Sequence, residues 1–165
     1  MILYEEVFKE FQKQHVKYVL VGGIALNLHG ALRNTFDLDI LVEMSDENLA
    51  KVVKILKRQG YQVRQPLDPM KIADKNTRHE WISKKHMRAF NFYKDSDMKE
   101  VDIIIHSPVC YENASKKELK VKVGSLVVPL ISMDDLIKMK KAAGRAIDKL
   151  DIEELKIIKK LKGKP

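Results

Sequence analysis

Residues 18–42 read Tyr18-Val-Leu-Val-Gly-Gly-Ile-Ala-Leu-Asn-Leu-His-Gly-Ala-Leu-Arg-Asn-Thr-Phe-Asp-Leu-Asp-Ile-Leu-Val42. Tyr18 to Val21 predict a buried strand, Gly22 and Gly23 a break, and Ile24 to His29 a short helix. A second strand then carries Asp37-Leu38-Asp39-Ile40. Side chains alternate along a strand, so Asp37 and Asp39 share a face about 6–7 Å apart, with Leu38 and Ile40 on the other. Two carboxylates at about 5 Å repel by roughly 3 kcal/mol at an effective dielectric near 20. A positive group is therefore expected between them, either a basic side chain or a metal ion. The glycines fit the same chemistry. Without Cβ atoms at the strand-to-helix turn, a phosphate can approach the N–H groups that open the helix.

The bulk composition sets wide bounds. A chain of 165 residues, 45% hydrophobic and 33% charged, is expected to fold as one globular domain, residues 1–165, with a core to about residue 130 and C-terminal helices over about 131–165. No apolar run approaches the ~20 residues of a membrane span. The N-terminal residues Met1 to Glu6 lack a basic signal-peptide region. One cysteine, Cys110, suits a reducing, cytoplasmic setting. The formal net charge is +8, and residues 116–165 hold fourteen Lys or Arg against seven Asp or Glu. Such a region suits nucleotide, RNA or another polyanion, and equally a set of solvated Lys-rich helix faces.

Outside the opening stretch the patterns are ordinary. Tyr4, Val7, Phe8 and Phe11 mark an amphipathic helix over residues 3–15. Ser45 or Asp46 caps a helix through about Arg58, with Leu49, Val52, Val53 and Leu56 as its buried stripe and Gly60 after it. A short strand follows at Tyr61 to Arg64. Asp68-Pro69 starts a helical turn. Residues 77–86 are mostly polar around Trp81, which is read as a core anchor. The five histidines lack metal-site spacing. Ala89 to Tyr93 and Val101 to His106 predict a strand pair, turned at Asp95-Ser96-Asp97, with Asp102 near the start of the second strand. Leu119 to Pro129 predict a hairpin turned at Gly124-Ser125. Ser132 caps the next helix, Gly144 ends it, and Asp151 is placed to cap a last one.

Gly22-Gly23, thirteen residues, then Asp37-Leu38-Asp39-Ile40, with Asp102 on the later strand Glu100 to Ile105, resembles the signature of the polymerase-β-like nucleotidyltransferases. A second stretch, Asp135 to Arg145 continuing to Asp148 and Asp151, is similar to the C-terminal motif of nucleotidyltransferases related to abortive-infection toxins. These resemblances imply a mixed, twisted α/β sheet with flanking helices and a C-terminal helical segment over the cleft. They imply transfer of a nucleoside monophosphate from an NTP to a hydroxyl, with release of pyrophosphate. Asp37, Asp39 and Asp102 would be metal ligands for two Mg²⁺ ions, with Asp102 also a proton acceptor. Gly22 and Gly23 would hold phosphate, with serine as the family's alternative to the second glycine. Lys140 would neutralise the triphosphate, while Arg33, Asn34, Thr35 and Arg145 would contact phosphate or base. The acceptor, whether small molecule, tRNA or protein, is not legible. The alternative is a non-catalytic nucleotide- or nucleic-acid-binding protein on the same fold, working with a partner protein in a toxin–antitoxin pair.

Overall fold

The computed structural model describes residues 3–163. In chain order the elements are α1 (Glu5–Lys13), β1 (Tyr18–Val21), α2 (Gly22–His29), β2 (Leu38–Val42), α3 (Asp46–Arg58), β3 (Gln62–Val63), a 3₁₀ turn (Pro69–Ala73) and α4 (Lys75–Lys85). After these come β4 (Ala89–Lys94), a 3₁₀ turn (Asp95–Asp97), β5 (Lys99–Ile104), α5 (Tyr111–Ser115), β6 (Leu119–Val123), β7 (Leu126–Leu130), α6 (Met133–Ala143) and α7 (Ala146–Lys162). The strands form one sheet in the order β3-β4-β5-β2-β1-β7-β6. The β2–β5 and β1–β7 pairs are parallel and the others antiparallel, so the sheet is mixed. This is the mixed α/β sheet with flanking helices and a C-terminal helical segment expected from the sequence.

Register divides the sheet into an apolar face and a polar one. Leu38 pairs with Val101 and Ile40 with Ile103, while Phe92 and Phe90 sit opposite those same β5 residues on β4. Paired residues point to one side of a sheet, so these six buried side chains make a continuous apolar layer. Trp81 of α4 stacks on Phe90 with ring centroids 5.2 Å apart, the anchoring role expected of it. The stripe of α3, Leu49, Val52, Val53 and Leu56, is buried in the same core, as are Val7, Phe8 and Phe11 of α1. Each such side chain contributes about 1.5–3 kcal/mol when fully buried. The alternate residues, Asp39 on β2, Asp102 on β5 and Asn91 on β4, share the opposite face.

Tyr4 ties the two carboxylate strands together where they begin. Its hydroxyl lies 2.5 Å from the Phe36 carbonyl and 2.7 Å from the Glu100 carbonyl, and accepts from the Glu100 N–H at 3.0 Å. Burial pushes the phenol up to about 12, so it stays a donor at any ordinary pH.

Local signals explain most element ends. Ser45 Oγ caps α3 by accepting from the Asn48 N–H at 3.2 Å, and Ser132 Oγ caps α6 in the same way through Asp135. Asp68 accepts from the Met70 N–H at 3.0 Å ahead of Pro69. Gly144, at φ +64°, ends α6.

Residues 75–85, a mostly polar stretch for which no element is expected from the sequence, form a full helix, α4, with Trp81 and Arg78 as its buried residues. Two expectations differ from the structure. Asp102 is the fourth residue of β5 rather than near its start, because pairing with β4 extends that strand back to Lys99. Asp151 does not cap the last helix. Arg145 is the N-cap, Asp148 Oδ2 accepts from the Arg145 N–H at 3.1 Å, and Asp151 lies inside α7. Among the described residues no helix is long and apolar enough to cross a membrane.

Candidate active site

β1 ends at Val21, opposite Asp39 on β2, and Gly22 and Gly23 open α2 beside that carboxylate. Gly22 sits at φ +70°, where side chains are strained, and a Cβ there would lie 1.9 Å from Asp39 Oδ2. The first glycine is thus demanded by the carboxylate itself. A Cβ on Gly23 would fall 2.6 Å from Thr35 Oγ1 and 2.8 Å from Thr35 Cβ. Thr35 therefore packs into the space that the second glycine leaves, a tighter fit than the expected tolerance for serine implies.

Asp39 and Asp102 are paired in register on adjacent parallel strands. Asp37, just ahead of β2, extends the group, and Glu100 lies two residues before Asp102. Burial, then the charges of Asp102 and Asp37, push the Asp39 carboxyl up to about 7, against the pull of the Gly23 N–H and the Lys140 ammonium. Burial also raises Asp102, and burial followed by the Glu100 charge raises Asp37. Among the described residues no Lys, Arg or His nitrogen lies within 4.0 Å of Asp37, Asp39 or Asp102. Of the two positive groups expected from the sequence, a pairing basic side chain is not there. The donor set is made of hard carboxylate oxygens, which suits Mg²⁺. No three His, Cys, Asp or Glu side chains among the described residues close into a metal cage. An open carboxylate row is the usual protein share of a Mg²⁺ site, since that ion keeps waters and takes substrate phosphate as its other ligands.

A cavity of about 160 Å³ adjoins Asp39, lined by Val21, Gly22, Ile104, Leu136, Met139 and Lys140, and closed by Ala143, Arg145 and Asp148. Sheet and α6 supply apolar walls, and Lys140 and Arg145 supply charge. Lys140 is only 5% exposed and is committed to acids of α7, with Nζ 2.7 Å from Asp151 Oδ2 and 3.6 Å from Asp148 Oδ1. Asp151 also pairs with Arg33, so the loop before β2 is tied to α7 through one carboxylate. Burial works against the Asp148 carboxylate, but hydrogen bonds from Arg145 outweigh it and hold it below the usual range. Arg145 binds Asp148 at 2.8 Å yet its side chain is 66% exposed, which leaves it the accessible cation at the cavity mouth. The structure thus brings Gly22, Asp39, Lys140 and Arg145 to one cavity, packs Thr35 on Gly23, and places Arg33 on Asp151.

The row of polar groups continues past Asp102 to Asn91 on β4 and to Arg64, which is paired with Glu100. Neither Asn91 nor Arg64 stands out in the sequence. Only the pairing of β4 with β5 places them there, and an alternating Phe90-Asn91-Phe92 is the faint signal that Asn91 faces the polar side.

Comparison with known proteins accords with this geometry. The profile of the aminoglycoside-2''-adenylyltransferase family matches residues 4–157, most of the chain. The chain belongs to the aminoglycoside-2''-adenylyltransferase family. It is thereby a nucleotidyltransferase enzyme. No curated protein sequence matches it. Among solved structures, the lincosamide antibiotic adenylyltransferase LnuA, bound to lincomycin, superposes with a TM-score of 0.61 at 18% identity, covering 92% of this chain and 93% of that one. ANT(2'')-Ia in complex with adenylyl-2''-tobramycin gives 0.56 at 13% identity, over 94% and 92% of the two chains. An antigenic nucleotidyltransferase-like protein from Paracoccidioides brasiliensis gives 0.54 at 13% identity, over 97% and 78%. At such identities the likeness is one of fold.

Proposed function

We propose that this family member transfers a nucleoside monophosphate, AMP in the first instance, from an NTP to a hydroxyl of a small acceptor. The observation that carries the reading is the carboxylate group of Asp37, Asp39 and Asp102. Asp39 and Asp102 are in register across two strands with Asp37 just ahead of β2, no basic side chain among the described residues is paired with them, and they stand beside a glycine-opened helix. Lincomycin and tobramycin, seen with the fold neighbours, are the acceptors to try first.

In the reaction the acceptor oxygen attacks the α-phosphorus. A P–O bond forms there, the bond from the α-phosphorus to the bridging oxygen breaks, and pyrophosphate leaves with that electron pair. Asp102, half-buried and raised, takes the hydroxyl proton. The nucleoside occupies the apolar cavity between Ile104 and Met139, and Arg145 offsets charge on the triphosphate. Mg²⁺ held by Asp37, Asp39 and Asp102 supplies neutralisation of the phosphates and a more acidic acceptor hydroxyl. Lys140 and Arg33 serve by holding α7 against the loop that leads into Asp37. The chain acts as one nucleotidyltransferase unit. In this reading the Lys140, Arg145, Asp148 and Asp151 pattern, similar by sequence to a toxin-type motif, serves as this brace.

The test is incubation with ATP labelled on the α- or the γ-phosphate, tobramycin or lincomycin, and Mg²⁺ or a chelator. Transfer predicts α-label on the acceptor, γ-label in pyrophosphate, and neither with the chelator. When both compounds fail, a cell extract replaces them as the acceptor source. Absence of α-label transfer to any molecule in the extract, together with salt-sensitive RNA binding, would overturn the proposal in favour of a non-catalytic binder.

A further inference from the structure

We infer that Asn91 is a positioning residue for Asp102, and that Arg64 in turn fixes Asn91. The inference rests on the nucleotidyltransfer reading, because it concerns how the third carboxylate of that site is held. Asn91 stands directly across from Asp102 in the β4–β5 register. Its Nδ2 donates to Asp102 Oδ1 at 2.7 Å and to Glu100 Oε2 at 3.1 Å. Its Oδ1 accepts from Arg64 Nε at 3.2 Å. The guanidinium is also paired with Glu100 and lies over the Tyr93 ring, 4.8 Å from its centroid.

Donor and acceptor chemistry makes this arrangement directional. A guanidinium has only donors and an ionised carboxylate only acceptors. The amide must therefore turn its oxygen to Arg64 and its NH₂ to Asp102 and Glu100. A flipped amide would set donor against donor and acceptor against acceptor. The same group moderates the charge. Glu100 is a fourth carboxylate on this face whose charge raises Asp37 and Asp102, and its pairing with Arg64 offsets part of that repulsion. Asn91 occupies one oxygen of Asp102 and leaves Oδ2 for a ligand. Groups that orient a ligating carboxylate typically change metal affinity or activity by about 10–100-fold when removed.

The experiment compares wild type, Asn91→Ala, Arg64→Ala and the double variant. Mn²⁺ binding is read by electron paramagnetic resonance in the presence of a non-hydrolysable ATP analogue. Turnover is read as pyrophosphate release from ATP with whichever of tobramycin and lincomycin is used. Asn91→Ala is expected to weaken Mn²⁺ binding about 10-fold or more and to lower kcat by a similar factor. KM for ATP is expected to stay within a few-fold, since neither Asn91 nor Arg64 lines the nucleotide cavity. Arg64→Ala should act in the same direction but less, and should add nothing to Asn91→Ala, because its effect passes through the amide. Asn91→Asp, which keeps the shape but loses the NH₂, should be at least as damaging as alanine. Wild-type Mn²⁺ binding in Asn91→Ala, or additive effects of the two substitutions, would overturn the inference while leaving the nucleotidyltransfer reading intact. A wild type that binds Mn²⁺ but transfers nothing condemns the transfer reading, and the Mn²⁺ comparison still decides Asn91. A wild type that binds no Mn²⁺ overturns both.

Discussion

Gly22 and Asp39 are so close that a Cβ on the glycine would lie 1.9 Å from the carboxylate oxygen. The glycine also occupies the left-handed region, at φ +70°. Gly22→Ala is therefore expected to strain the backbone and to push Asp39 out of register with Asp102. The strain costs about 1–3 kcal/mol. Turnover should fall by far more than that stability loss explains. Chemical denaturation and kcat/KM on the same preparations check it; an alanine variant of unchanged activity would dissociate the glycine from the site.

Gly23 makes a different contact and leads to a different expectation. As the family's alternative, serine would be harmless if the glycine served only the turn. Here Thr35 fills the place of a side chain, and serine would press on both its Oγ1 and its Cβ. Gly23→Ser is expected to destabilise by about 1–3 kcal/mol, as overpacking does. Combining it with Thr35→Gly should restore part of the loss. Thermal melts of the single and double variants distinguish this from a simple backbone effect, in which Thr35→Gly gives no relief.

What the sequence makes legible is local. Two glycines after an apolar run, and two acids alternating with Leu38 and Ile40, fix a strand–helix–strand unit with its carboxylates on one face. Ser45, Ser132, Asp68 and Gly144 declare their ends through caps that depend on neighbours only a few residues away. What is hidden depends on long-range pairing. α4 exposes most of its polar residues and anchors on Trp81 through Phe90, so no helical apolar stripe announces it. Asp151 is a good N-cap residue by type. Only the arrival of Lys140 and Arg33 makes it worth more inside α7 than at a cap. For the same reason the motif lysine looks free for phosphate until Asp148 and Asp151 are seen around it.

Lys140 accordingly has a strong effect on folding. Removing it leaves two buried acids, Asp148 with Arg145 and Asp151 with Arg33 as their remaining partners, and stripping a partner from a buried pair costs up to about 3–5 kcal/mol. Lys140→Met is expected to lose up to that much, and Asp151→Asn in the same chain should recover part of it by removing one of the two buried carboxylates. Lys141→Ala, on the exposed neighbour, should change stability by no more than about 0.5 kcal/mol. Denaturant melts of the three variants check the order. A Lys140→Met protein as stable as wild type would free the lysine for a role at the triphosphate alone.

The raised Asp39 carboxyl makes the ligand-free protein sensitive to pH. Its folded value of about 7 lies above the ordinary 3.8, so between these values the folded state holds a proton that the unfolded state has lost. Stability from this group is therefore fully present below about pH 4, falls as pH rises toward 7, and is flat above it. Over about three units the loss amounts to up to about 4 kcal/mol. Asp39→Asn removes it. The variant should match wild type near pH 4 and exceed it near pH 8 in melts without metal or nucleotide. A difference independent of pH would mean that Asp39 titrates normally.

The most direct test of the account is a set of four melting curves at pH 8: wild type and Asp39→Asn, each with and without Mg²⁺ and a non-hydrolysable ATP analogue. Without ligand, the asparagine variant should melt at or above the wild type, because it relieves carboxylate repulsion. With ligand at about a hundred times its dissociation constant, the wild type should gain roughly 2.7 kcal/mol, or about 5–10 °C for a protein of this size, and the variant little or nothing. A wild type that gains nothing, with a variant destabilised in both conditions, would contradict a cation and nucleotide site at Asp37, Asp39 and Asp102.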